Sequence, residues 1–249
     1  MRKAYLTVRS ALLWAVSGIH FAVVATFLIA LGAIVDPRKN DWPQRLFFRN
    51  ILRLAGARLE VRRAPGFDAT RTSIFICNHV NLFDPFIIYS AIPQFVRGFE
   101  LESHFKLPVY GWMMGRFGNI PVPDAPSRES LELMTQRAKT ALDSGVSLIA
   151  FPEGSRTRSG HVQAFKKGIF NLAQRFGIPI VPVSMVGSYQ FFQTGNWMLH
   201  PEKITVHVHD TIDTSQLTRA DVDALRQRVQ EIVSAPVEES LLENPVKKF

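Results

Sequence analysis

Two polar stretches in this 249-residue chain combine residue types that can move a proton and hold an anion. In Asn78-His79-Val80-Asn81-Leu82-Phe83-Asp84-Pro85 an aspartate follows a histidine at a distance of five residues. An imidazole takes up a proton near neutral pH. A carboxylate on its other ring nitrogen fixes the tautomer and stabilises the cation. Taken alone, Asp84 before Pro85 reads equally as a helix N-cap, and His79 as a satisfied buried histidine. The second stretch is the turn Phe151-Pro152-Glu153-Gly154-Ser155-Arg156, followed by Arg158, His161, Lys166 and Lys167. Turn N–H groups and guanidinium forks suit phosphate oxygens, and a solvated basic loop is the plainer alternative. There is no Gly-x-Ser-x-Gly elbow and no Gly-x4-Gly-Lys-[Ser/Thr] loop, so neither a serine-hydrolase triad nor a P-loop is supported.

Two further groups invite chemistry. Cys77 lies two residues before His79, so a strand would turn both to one face. That allows a cysteine nucleophile, although buried strand cysteines are ordinarily packing. His207 and His209 alternate with Val206 and Val208, beside Asp210. They read as a half-exposed strand, with a metal pair as the alternative. A lone cysteine precludes an intrachain disulfide or a multi-cysteine zinc site. No metal and no cofactor is expected.

The elements that must position these residues alternate. Strands are predicted at 73–78, 119–122, 147–151, 178–186 and 203–209, and helices at 85–92, 105–116, 127–144, 166–176 and 218–233. This pattern implies an α/β domain around a largely parallel twisted sheet flanked by helices. In such sheets the working loops lie beyond the carboxyl ends of strands, where both polar stretches fall. The expected organisation is an N-terminal anchor over 1–57, an α/β body over 58–235 and a surface tail over 236–249.

The formal charge of +8 is concentrated before residue 72, where 12 Lys/Arg meet 4 Asp/Glu. The same region holds Ala11–Val35, 25 residues without a formal charge. As a helix this run is long enough to span a bilayer core of about 30 Å, and it exceeds a signal-peptide core. Arg45, Arg49 and Arg53 then share one face of a predicted helix whose other side carries Phe47, Phe48, Ile51, Leu52 and Leu54. That helix reads either as lying on anionic lipid or as an ordinary surface helix packed on the core. Nucleic acid is a poor partner, because the charge follows the membrane-like segment. The expected location is a membrane, on the cytoplasmic face of an inner or plasma membrane.

Together, Asn78-His79-x4-Asp84, Phe151-Pro152-Glu153-Gly154-Ser155-Arg156, Val181-Pro182-Val183 and the run from Phe165 to Val183 closely resemble the glycerolipid acyltransferase family. Its best-known members are 1-acyl-sn-glycerol-3-phosphate acyltransferases. The resemblance covers about residues 58–210. It implies direct acyl transfer from acyl-CoA or acyl-carrier protein to the hydroxyl of a lysophosphatidate or another lysolipid. His79 would be the general base and Asp84 its orienting partner. Asn78, Glu153, Gly154, Ser155, Arg156, Lys166 and Arg128 would belong to the substrate site. One block departs from the family pattern: Gly118-Asn119-Ile120-Pro121-Val122-Pro123-Asp124 has an aspartate where a basic residue is usual. An acidic residue there favours a zwitterionic or amino-acid lipid acceptor if it points into the site. Arg128 or Arg116 could supply the missing cation. A Cys77 thioesterase and a non-catalytic membrane scaffold are the rival readings.

Overall fold

The computed structural model describes residues 2–38 and 41–244. Seven strands form one sheet: β1 (Ala57–Arg63), β2 (Ile74–Cys77), β3 (Val96–Leu101), β4 (Ile120–Val122), β5 (Ser147–Ala150), β6 (Ile180–Val186) and β7 (Glu202–Val208). Their order is β1-β7-β6-β2-β5-β3-β4. Pairing is parallel except between β6 and β7, so β1 and β7 run against the other five. The helices are α1 (Arg2–Leu31), α2 (Trp42–Ala55), α3 (Asp84–Ala91), α4 (Tyr110–Arg116), α5 (Arg128–Asp143), α6 (Gly168–Phe176), α7 (Ser188–Phe191) and α8 (Val222–Glu243).

The architecture expected from sequence is present, and its logic is visible in β2. This strand is buried on both faces, as the central strand of a parallel sheet must be. Phe75 and Cys77 enter the core shared with α1 to α4, while Ile74 and Ile76 enter the core beneath α5, α6 and α8. Two strands escaped prediction. β1 (Ala57–Arg63) carries four charges on an edge that pairs only with β7. β3 (Val96–Leu101) has Arg97 and Gly98 in its interior. Arg97 is nonetheless buried, its guanidinium 3.7 Å from the Phe95 ring centroid.

Three boundaries differ from expectation. The helix predicted over 105–116 is split into a 3-10 turn at Glu102–Lys106 and α4, with Val109 between them at φ 63°, ψ −59°. The last helix does not stop at 233. It continues through Pro236 to Glu243 with Val237 buried, so residues 236–243 are helical rather than a tail. Residues 245–249 lie outside the described residues.

The third difference is the N-terminal region, which packs on the body. Phe47, Phe48, Ile51 and Leu52 of α2 lie in the main core. Arg45 is withdrawn from the basic face: it pairs with Asp41 at 2.7 Å and donates to the carbonyls of Ile92, Pro93 and Gln94 at the end of α3. Arg49 and Arg53 remain exposed. α1 buries Ser10, Ser17, Ala25 and Leu28, and turns Tyr5, Val8, Leu12, Val16, Ile19, Val23 and Phe27 outward. It is the one helix among the described residues long and apolar enough to cross a membrane.

Candidate active site

β2 and β5 are adjacent and parallel, so their C-terminal loops meet at one edge of the sheet. His79 leaves β2 there. Its Nδ1 lies 2.8 Å from Asp84 Oδ2, and the ring stacks on Phe151 from the β5 loop, centroids 4.4 Å apart at 20°. Because Asp84 accepts the Nδ1 proton, Nε2 is left with the lone pair a general base needs. Asp84 is fully buried. Its Oδ2 also accepts from the backbone N–H groups of Val80 (2.5 Å) and Asn81 (2.9 Å), and Oδ1 accepts from Ser188 Oγ (3.1 Å). It is not a helix cap: Phe83 holds that position, and Asp84 is the first residue of α3. The aspartate instead ties down the loop between itself and the histidine.

Further bonds immobilise this loop. Thr157 N–H donates to the His79 carbonyl at 2.9 Å. Asn81 Nδ2 donates to the carbonyls of Ser188 and Phe192, both at 2.9 Å, and its Oδ1 accepts from Phe83 N–H. Asn81 and Ser188 were not expected in the site. Asn81 lies within the His79–Asp84 stretch, where the sequence gave it no role, and Ser188, 104 positions from Asp84, gave no local signal.

The expected substrate residues fall into two groups. Gly154, Ser155, Arg156 and Lys166 line a cavity of about 1750 Å³ together with His79. Arg156 is exposed and forms no ion pair among the described residues. Gly154 has φ 73° and lies under the Lys166 side chain, so a Cβ there would strike the ammonium. Asn78, Glu153 and Arg128 do not form the cavity wall. Asn78 is buried and bridges to Met185, giving its Nδ2–H to the carbonyl and accepting from the N–H. Glu153 turns inward and accepts from the backbone N–H of His79 (2.6 Å) and of Gln163 (2.9 Å). Burial pushes its carboxyl up, against the downward pull of these two donors. Glu153 thus couples the two loops. Arg128 is exposed at the start of α5, and Arg116 is likewise outside the wall. Asp124 does not reach the cavity either: it accepts from Ser103 N (2.8 Å) and Ser103 Oγ (2.7 Å).

The rival residues are placed clearly. Cys77 is fully buried, and burial together with the Asp84 charge pushes its thiol well above the usual range. A thiolate is the nucleophilic form, so this position disfavours it. The ring of His209 contacts Ser184 Oγ at 2.9 Å, and burial lowers both His207 and His209. Among the described residues no three His, Cys, Asp or Glu side chains cluster as metal ligands would.

The cavity has an apolar side as well. Trp14 and Phe21 of α1 join Phe83, Phe86 and Ile51 in its wall. On the other face of the sheet it reaches Leu131 and Met134 of α5 and Ile169 and Leu172 of α6. A proton acceptor, free cations and long apolar walls thus share one space.

A mostly parallel α/β sheet carrying, at its C-terminal edge, a partly exposed histidine on a buried aspartate defines the class of fold and site. A family model described as Acyltransferase matches residues 58–186, about half of the chain, and the protein belongs to that family. The chain is 28% identical over 220 residues to a chloroplastic 1-acyl-sn-glycerol-3-phosphate acyltransferase of Arabidopsis thaliana, covering 82% of this chain and 60% of that one. It is 30% identical over 180 residues to human 1-acyl-sn-glycerol-3-phosphate acyltransferase beta, covering 72% and 64%. It therefore spans less than two thirds of the length of either relative. The crystal structure of the 1-acyl-sn-glycerophosphate acyltransferase PlsC from Thermotoga maritima has the same fold, with a TM-score of 0.79 at 23% identity over the whole of both chains.

Proposed function

We propose that this chain transfers a fatty acyl group from a thioester, acyl-CoA or acyl-carrier protein, to the free hydroxyl of lysophosphatidate at a membrane surface. The observation that carries the reading is the His79–Asp84 pair opening onto a cavity with unpaired Arg156 and Lys166 and long apolar walls. His79 Nε2 takes the hydroxyl proton as the oxygen attacks the thioester carbonyl. The tetrahedral intermediate collapses with cleavage of the C–S bond. The thiolate leaves with the proton returned by the imidazolium, and no acyl-enzyme forms. A thioester is already activated, so a base and positioning suffice. Arg156 grips the acceptor phosphate. The absence of Asp124 from the wall removes the motive for preferring a zwitterionic or amino-acid lipid.

The test is transfer itself. Purified protein is incubated with labelled acyl-CoA or acyl-carrier protein and a panel of lysolipids, and the products are identified. Phosphatidate as the main product supports the reading, and Arg156→Ala should lower acceptor use about 10–150-fold while leaving thioester use less affected. Release of free fatty acid without acyl-lipid would make the protein a thioesterase. An inert protein that still bound vesicles would make it a scaffold.

The apolar outward face of α1 supports membrane attachment. The helix contacts the body from Ser10 to Leu31, about 30 Å at about 1.5 Å per residue. A helix crossing the bilayer would carry the body packed along it into hydrocarbon. We therefore place α1 along the interface, its outward stripe in the acyl region and Arg49 and Arg53 near anionic headgroups. Ile19→Glu with Val23→Glu should abolish flotation with anionic vesicles while leaving the fold intact. Unchanged flotation would overturn this placement.

A further inference from the structure

One cluster in the cavity wall has no part in the roles above. Glu100, near the end of β3, accepts from His104 Nδ1 at 2.5 Å through one oxygen and from Tyr110 OH at 2.6 Å through the other. All three residues line the cavity that holds His79. Both Glu100 oxygens are occupied, so this carboxylate fixes its neighbours and does not itself offer a free base. Tyr110 is kept a neutral donor, because burial first and then the Glu100 charge push its phenol up. The Nδ1–H of His104 is committed to Glu100, and Nε2 is the nitrogen left to bind something else.

The backbone is shaped to hold this arrangement. Val109, immediately before Tyr110, is a β-branched residue at φ 63°, ψ −59°, where a γ-turn is closed by Tyr110 N–H on the Pro108 carbonyl. Branched residues rarely adopt this strained region, and such strain clusters at functional sites. Gly111 permits the close approach of α4 to the 3-10 turn, since a Cβ there would meet the Phe105 backbone. Asp124, through Ser103, caps the turn that carries His104. The residue that looked misplaced for an anion site is spent on positioning. Arg156, from the loop after β5, lines the same cavity as His104 and Tyr110.

We propose that His104, held by Glu100, is a second binding group for the acceptor phosphomonoester, gripping it through Nε2–H opposite Arg156. The imidazolium so formed is balanced by Glu100, which makes Glu100 and Tyr110 positioning residues. This rests on the acyl-transfer reading with a lysophosphatidate acceptor.

The experiment measures transfer by the full chain to lysophosphatidate and to monoacylglycerol, which lacks the phosphate, and separately measures lysophosphatidate binding in detergent. His104→Ala should lower kcat/KM for lysophosphatidate about 10–150-fold, mainly through KM. It should leave monoacylglycerol use and the donor KM unchanged, and His104→Arg should recover much of the loss. Equal losses on both acceptors, no loss, or a rise confined to the donor KM would overturn the proposal. The last outcome would assign His104 to the donor's phosphates. Should His104→Ala fail to fold, His104→Gln takes its place. If the wild type transfers nothing to lysophosphatidate, the functional reading fails. Binding then decides the present inference: equal lysophosphatidate affinity in wild type and His104→Ala overturns it, and weakened affinity sustains it.

Discussion

Two carboxylate–histidine pairs in this molecule have nearly the same length and quite different surroundings. His79 Nδ1 meets Asp84 at 2.8 Å, and His161 Nδ1 meets Glu238 at 2.5 Å. The Asp84 side chain is 0% exposed and that of His79 22%, whereas His161 and Glu238 are 61% and 38% exposed. The buried carboxylate is fixed by two backbone N–H groups and a serine hydroxyl, and its histidine is pinned by Phe151. The exposed pair has one further bond, from Val162 N–H to Glu238 at 3.3 Å. Contact distance alone does not make a catalytic dyad. Immobilisation, shielding from solvent and a vacant Nε2 facing a cavity separate the first pair from the second.

The largest effect expected from this contrast is on catalysis. His79→Ala should lower transfer about 10²–10⁴-fold with circular dichroism and thermal melting close to wild type. His161→Ala should leave transfer unchanged. Retention of a tenth of wild-type activity by His79→Ala would break the comparison, as would a comparable loss in His161→Ala.

Asp84→Asn sharpens it. The amide cannot balance an imidazolium, so activity should fall severely. Asp84 is not an N-cap, so the substitution is not the harmless cap exchange that its sequence position suggested. It weakens charge-assisted bonds in a buried loop, and a stability loss of about 1.5–3 kcal/mol is expected by chemical denaturation. A normal activity per folded molecule would reduce Asp84 to a structural residue.

Cys77 should matter less. Its raised thiol pKa predicts that iodoacetamide reacts slowly with the folded protein and readily once it is unfolded. Cys77→Ala should keep most of the activity and cost about 1 kcal/mol through lost packing. Complete loss of activity in a folded Cys77→Ala protein would revive the nucleophile reading.

Much of this could be read from the chain because its signals are local. His79 and Asp84 share one loop, and Gly154, Ser155 and Arg156 share another. The apolar runs that became β2, β5 and β6 stand out as strands. What stayed hidden depends on long-range packing. Glu153 has a cavity residue's chemistry but points inward, because two backbone N–H groups need an acceptor there. β3 was masked by Arg97, whose burial against Phe95 no local pattern announces. Glu100 and His104 repeat the carboxylate–histidine theme at a spacing of four, yet only the turn at Val109 brings Tyr110 onto them. The supposed anchor over 1–57 supplies core residues from α2, so deleting it would expose that core. Outward substitutions on α1 are therefore the sounder membrane test.

The smallest effect closes the comparison from the exposed side. Glu238 lies in the part of α8 beyond Val233, where the sequence suggested a tail, and reaches across to the loop carrying His161. An ion pair this exposed contributes about 0–1 kcal/mol, because solvent screens the charges and both side chains give up freedom to meet. Glu238→Gln keeps the shape and a hydrogen-bond acceptor for Val162 N–H while removing the charge. It should shift stability by no more than about 0.5–1 kcal/mol and leave transfer unchanged, measured by urea denaturation and by the acyl-transfer assay. A larger loss would mean that the end of α8 holds the 151–168 loop in place. The two pairs would then share a structural task, and exposure would no longer distinguish them.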